Sequence, residues 1–235
     1  MFRRLVSGCC VVCVCASLIG CGKSESQSGA GFTKRDPVHT DKSPEEWIKI
    51  LGGRNGLARK QAIDMVKGYG KDCVDDLVKI LQESKSSEIK LDVCRTLSAI
   101  GKDAEEAVPE LCKQLGDKTF SHRAIAAEAL GKISAKPDQT VPALTAAMKD
   151  EEPTVRCMAA RSLGAVRGTD KASLAALMTA MEDESMEVRA EAMYALGKLG
   201  PAAKEALPAL EEAAKSEYVN IKFAAEDALN KIRGN

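Results

Sequence analysis

From Ala58 to Arg233 the chain repeats a single arrangement of apolar and polar positions. Aligned on one basic residue, the segments are ARKQAIDMVKGYG from Ala58, IKLDVCRTLSAIG from Ile89, HRAIAAEALGKIS from His122, VRCMAARSLGAVR from Val155, VRAEAMYALGKLG from Val188 and IKFAAEDALNKIR from Ile221. The basic residues Arg59, Lys90, Arg123, Arg156, Arg189 and Lys222 follow one another at intervals of 31 and then four times 33 residues. Three residues after each stands Ala62, Val93, Ala126, Ala159, Ala192 or Ala225, and seven after it Val66, Leu97, Leu130, Leu163, Leu196 or Leu229. With the residue before the basic site and the tenth after it, these positions make one stripe along an amphipathic helix. Asn55, Ser86, Thr119 and Ser185 share the slot of an N-cap ahead of four of these helices, and Pro153 takes a first helical position in a fifth.

A second, shorter helical pattern runs between these segments as PEEWIKIL, VDDLVKIL, VPELCKQL, VPALTAAM, LAALMTAM and LPALEEAA, the first preceded by Ser43 with Glu46 three residues on, a capping box. A helix pair of this size cannot cover its own apolar face, so neighbouring pairs must stack. The expected fold is all-α, an α-α superhelix of about six pairs. Asp117, Asp150 and Asp183 each precede a basic residue by six positions, and Leu-Gly pairs follow at 130, 163 and 196. In these residues the chain resembles the HEAT-like repeat family, particularly the short repeats named after phycobilisome lyases. The resemblance covers residues 44–233, although the first two repeats lack the Asp and the Leu-Gly. The recurring Arg or Lys suits either a ligand-binding ladder or, as expected here, pairing with turn acids and backbone between adjacent repeats. Gly131, Gly164 and Gly197 are expected to let the two helices of a pair approach closely.

The start of the chain follows another pattern. Arg3 and Arg4 precede an apolar run from Cys9 to Ile19, shorter than the roughly 20 residues that a membrane-spanning helix needs. It ends in Leu18-Ile19-Gly20-Cys21, which resembles the lipobox of bacterial lipoprotein precursors. The resemblance implies a signal peptide over residues 1–20, cleavage after Gly20, and lipid on Cys21. Gly22, where an Asp would mark inner-membrane retention in some Gram-negative bacteria, tilts the destination toward the outer membrane. Residues 21–43 are rich in Gly, Ser and charge and read as a flexible tether spanning on the order of 25 Å. The repeat domain then covers residues 44–235.

Composition narrows the functional classes. Thirty-four basic and thirty-four acidic residues cancel, and aromatics are only 3% of the chain, which argues against nucleic acid as a partner. Five of nine cysteines fall in the first 21 residues, so the Cys10/Cys13 spacing lies in the segment expected to be removed. Cys73, Cys94, Cys112 and Cys157 are scattered singly, with small apolar packing as the default reading. A disulfide, Cys94 with Cys112, is the alternative in an oxidising compartment. His39 falls in the tether and His122 at an apolar helix position. No metal site, cofactor or catalytic constellation emerges.

What remains is a surface. Second helices of HEAT-like stacks line the concave side, and the offset +5 file reads Asp64, Arg95, Glu128, Arg161, Tyr194, Asp227. Arg161 and Tyr194, with Phe223 nearby in register, have the composition of an interface centre. Phe223 equally suits a cover over the last inter-repeat seam. The expected function is a membrane-tethered scaffold for an unidentified protein partner in the bacterial envelope. The resemblance leaves a bilin lyase-like enzyme subunit as the runner-up, and a purely structural envelope protein as a third reading.

Overall fold

The computed structural model describes residues 42–166 and 170–234, and for Phe120 the backbone alone. Residues 1–20, Cys21 and His39 lie outside the described residues. Among the described residues, twelve α-helices alternate as first and second members of six pairs: α1 (Pro44–Leu51) with α2 (Gly56–Tyr69), α3 (Val74–Glu83) with α4 (Ser87–Ile100), α5 (Val108–Gln114) with α6 (Phe120–Ile133), α7 (Pro137–Ala147) with α8 (Pro153–Leu163), α9 (Lys171–Ala180) with α10 (Met186–Leu199), and α11 (Leu207–Ala213) with α12 (Val219–Arg233). Among the described residues there is no strand. Second helices pack in sequence, α2 on α4, α4 on α6, α6 on α8, α8 on α10 and α10 on α12.

The apolar stripe of the sequence is the core. Ala62, Val66, Val93, Leu97, Ala126, Leu130, Ala159, Leu163, Ala192, Leu196 and Ala225 have no exposure, and Leu51, Leu77, Leu111, Leu144, Leu177 and Leu210 meet them from the first helices. Burying each such Leu contributes on the order of 2 kcal/mol, and the cover comes from neighbouring repeats as much as from the pair itself.

Helix starts divide the expected caps. Ser43 and Glu46 form the capping box, Asn55 Oδ1 accepts from the Leu57 and Ala58 amides at 3.1 and 3.2 Å, and Ser86 caps α4. Thr119 and Ser185 occupy N-cap positions without accepting from a helix amide through their side chains, the Ser185 hydroxyl donating to Glu187 Oε2 at 2.7 Å. Asp117, Asp150 and Asp183 instead take the amides of Thr119, Glu152 and Ser185 at 2.8, 2.9 and 2.9 Å, closing the turn one step earlier. Three short 3-10 segments, Gly70–Cys73, Gly101–Ala107 and Gly200–Ala206, lead into α3, α5 and α11 and were not visible in the apolar pattern. Each opens on a glycine with positive φ, 58°, 69° and 58°, where a Cβ would be strained.

One expectation is corrected by the packing. Gly131, Gly164 and Gly197 do not join the two helices of a pair; they join second helices of successive repeats. A Cβ on Gly164 would stand 2.7 Å from Ala195 Cα, and one on Gly197 would stand 3.0 Å from Ala228 Cα. Gly131 faces Ser162 in the same register, and Ser162 Oγ donates to Ala127 O across the gap at 2.7 Å. Backbone thus meets backbone along the second-helix layer, which fixes its spacing.

Candidate functional site

The recurring basic residue is a structural rung. Arg123 donates from Nη1 to the carbonyls of Asp117 and Lys118 in its own turn, at 3.0 and 3.2 Å. Its Nε and Nη2 grip both carboxylate oxygens of Asp150 in the next turn, at 2.6 and 2.8 Å. Arg156 repeats the pattern with the carbonyls of Asp150 and Glu151 and a bidentate grip on Asp183 at 2.8 Å for both bonds. Arg59 holds the Gly53 and Arg54 carbonyls but reaches Asp92 and Glu88, because its next turn offers no Asp at the equivalent position.

The electrostatics follow from these bonds. The hydrogen bonds they donate to Asp92, Asp150 and Asp183 raise the already high pKa of Arg59, Arg123 and Arg156 against the opposing effect of burial. Burial alone would raise the Asp150 and Asp183 carboxyls, yet the arginine and turn-amide bonds outweigh it and hold both below the usual carboxylate range. These side chains are committed to stacking and leave the turn edge without a free guanidinium ladder at those rungs.

The three residues singled out from sequence, Arg161, Tyr194 and Phe223, lie on α8, α10 and α12. Arg161, on α8, pairs bidentately with Glu191 of α10 at 2.8 and 2.9 Å, and that bond raises its pKa further above the arginine value. Tyr194, one turn after Glu191, is half-buried against the core. Phe223 is 63% exposed on α12 and therefore covers no seam. The three residues sit on consecutive second helices; the structure records a bond between α8 and α10 there, through Arg161.

A better-formed hollow lies two repeats earlier on the same layer. It encloses about 180 Å³ between α4, α6 and α8, with Leu91, Ile125 and Met158 as apolar floor and Arg95 and Glu128 beside them. Sequence reasoning on the +5 file reached Arg95 and Glu128 but missed Ile125 and Met158. The signal was in the +2 file, which reads Gln61, Asp92, Ile125, Met158, Glu191, Ala224 and carries a large apolar side chain only in the middle repeats.

The remaining candidate chemistry is accounted for by packing. His122 is buried, with Nε2 donating to Ser87 O at 2.8 Å and Nδ1 3.2 Å from Asp117 Oδ1. Cys73, Cys94, Cys112 and Cys157 are all free thiols. The Cys94–Cys112 disulfide is not made: Cys94 is buried in α4, while the Cys112 thiol on α5 turns toward Gln139 O of α7 at 3.9 Å. Burial pushes the Cys73 and Cys94 thiols up to about 11 and about 12, away from nucleophilic use. Among the described residues there is no group of three or more His, Cys, Asp or Glu placed to hold a metal, and no helix is long and apolar enough to cross a membrane.

Known proteins point to the same architecture. Two overlapping stretches, residues 108–177 and 168–230, match the family described as HEAT repeats and together span just over half of the chain. The chain belongs to the HEAT-repeat family. No curated protein matches it. Among solved structures, a designed armadillo repeat protein in complex with the peptide (KR)4 is 18% identical, with a TM-score of 0.61 over 81% of this chain and 100% of its own. A crystallised engineered protein is 17% identical with a TM-score of 0.60 over 83% and 100%, and another is 22% identical with a TM-score of 0.53 over 83% and 93%. At these identities the likeness is one of fold. The chain is a HEAT-repeat solenoid whose fold is shared by designed armadillo repeat proteins.

Proposed function

We propose that this chain is an exported lipoprotein that captures a segment of a partner protein on the solvent side of its second helices, close to a bacterial membrane. The observation that carries the binding half is the hollow over α4, α6 and α8, where an apolar floor lies between an arginine and a glutamate. Arg95 keeps only a loose tie to Asp92, at 3.8 Å, so its guanidinium is available to a partner carboxylate or carbonyl. An extended segment with one apolar side chain in the hollow and polar neighbours along the +5 file fits that layout. Arg161, Tyr194 and Phe223 continue the surface toward the last repeat. That a designed armadillo repeat protein is in complex with a peptide supports the reading by analogy of fold.

The tethering half rests on Leu18-Ile19-Gly20-Cys21. Attached acyl chains would hold the protein at about 0.8 kcal/mol per buried methylene, with two chains needed for a stable anchor. Cys21→Ala is expected to accumulate as an uncleaved precursor without incorporated lipid label. Normal cleavage after Gly20 with undiminished membrane sedimentation would remove the anchor from the account. For the surface, Met158→Glu together with Ile125→Glu should abolish partner capture with the melting temperature preserved within a few degrees, and unchanged capture would exclude the hollow.

A further inference from the structure

A larger cavity, about 430 Å³, opens on the turn edge between the second and third repeats, away from the solvent side of the second helices. Its walls include Lys85, Lys90, Lys118, Asp117 and His122. Its origin lies in the rung pattern. At Arg123 and Arg156 a guanidinium fork fills the corresponding space, bonding two turn carbonyls and one carboxylate. The second repeat has Lys90 at this position. An ammonium has no fork, and Lys90 Nζ stops 3.9 Å from Asp117 Oδ2, beyond hydrogen-bond distance.

The turn residues add to the positive charge. Five positions before the basic residue stand Lys85 and Lys118 in the second and third repeats, where the fourth, fifth and sixth carry Glu151, Glu184 and Glu217. Three lysines therefore line one hollow in a chain whose net charge is zero. The one carboxylate in the wall, Asp117, accepts from the Thr119 amide through Oδ1 at 2.8 Å, with His122 Nδ1 3.2 Å from the same oxygen, and its Oδ2 alone stands 3.9 Å from Lys90 Nζ, one negative charge against three lysines. Glu88, at the start of α4, is drawn off to Arg59 at 2.8 Å. His122 ties the two walls together through Ser87 O, so the hollow is braced across the seam.

We propose that this cavity binds a phosphate group. Three separate point-charge donors suit a tetrahedral oxyanion, whereas a planar carboxylate is better matched by the guanidinium forks of the other rungs. The same chemistry is offered by soluble phosphate or a phosphate monoester and by a phospholipid headgroup. This site is independent of the protein-binding surface.

The test uses the purified full chain and inorganic phosphate, titrated by calorimetry at constant ionic strength, with chloride as the control anion. Saturable binding is expected, weakened at least tenfold in the Lys85→Ala/Lys118→Ala double variant. Lys90→Arg supplies the missing fork, so it should fill the cavity, abolish phosphate binding and leave the melting temperature unchanged or higher. Absence of saturable phosphate binding by the wild-type chain, or equal binding by all three proteins, would overturn the site. Vesicles of phosphatidylglycerol then separate the sources. If they displace phosphate from wild-type protein, the site takes a lipid headgroup; if phosphate binding persists beside them, it takes a soluble phosphate, and the site stands in either case.

Discussion

Gly164 and Gly68 are both helix-associated glycines, and their surroundings give them opposite consequences. An added methyl at Gly164 would meet the Ala195 backbone at 2.7 Å, while at Gly68 nothing lies within 4 Å. Gly164→Ala is therefore expected to lose about 1–3 kcal/mol through overpacking of α8 on α10. Gly68→Ala should gain about 0.5–1 kcal/mol from helix propensity. Denaturant midpoints of the two variants check the pair, and equal effects would contradict the packing. The presence of a small residue at 131, 164 and 197 was legible in the repeat register, but its partner was not. The alignment shows which residues are equivalent, whereas the neighbour of Gly164 is fixed by the rotation between successive repeats, which one-dimensional spacing does not encode. Likewise the positive-φ glycines that open the 3-10 segments carry no apolar period and left no trace beyond their identity.

At the scale of the helix pair, stability passes from one repeat to the next through Arg–Asp rungs. The Arg156–Asp183 rung is almost buried on both sides, with 9% and 12% side-chain exposure, so Asp183→Ala leaves the guanidinium with Glu184 and two turn carbonyls only and should cost about 1–3 kcal/mol. The folded-state pKa of Asp150 and Asp183 lies below the unfolded value near 3.9, so their contribution is fully present above that value. It is lost as pH falls through the depressed folded value. Acid unfolding should accordingly begin below about pH 4, and Asp150→Asn/Asp183→Asn should flatten the pH dependence of the melting temperature below that pH. The last seam lacks the rung. Arg189 Nε is buried without a partner, and the position 27 residues on, held by Asp150 and Asp183 for Arg123 and Arg156, is Ser216. Ser216→Asp is expected to complete it and raise the stability of α11 and α12 by about 1 kcal/mol, read as slower amide exchange in those helices; unchanged exchange would contradict this. The basic positions and the three aspartates were visible as a spacing of six, which is the link within a turn. The 27-residue link between repeats, where the carboxylate grip lies, became visible only in three dimensions.

For the whole molecule, the sixth repeat breaks a file that the earlier repeats bury. Four positions after the basic site, Cys94, Ala127, Ala160 and Met193 are buried by the following repeat, whereas the sixth repeat carries exposed Glu226. Val219 and Phe223 stand out beside it. The second-helix layer is continuous, and it holds the recess floored by Leu91, Ile125 and Met158. Fold and repeat number were legible because a helix period of 3.6 and a repeat of 33 residues both write directly into sequence. The recess was not, because it depends on side chains from three helices meeting at one depth. The central claim is that this recess holds a partner segment, and site-specific photo-crosslinking in cells tests it most directly. A photoreactive residue at Met158 should give one discrete adduct that is lost in Arg95→Ala, while the same residue at Lys79, on the first-helix side, should give none. Equal adduct patterns from both positions, or no adduct at Met158, would contradict the account.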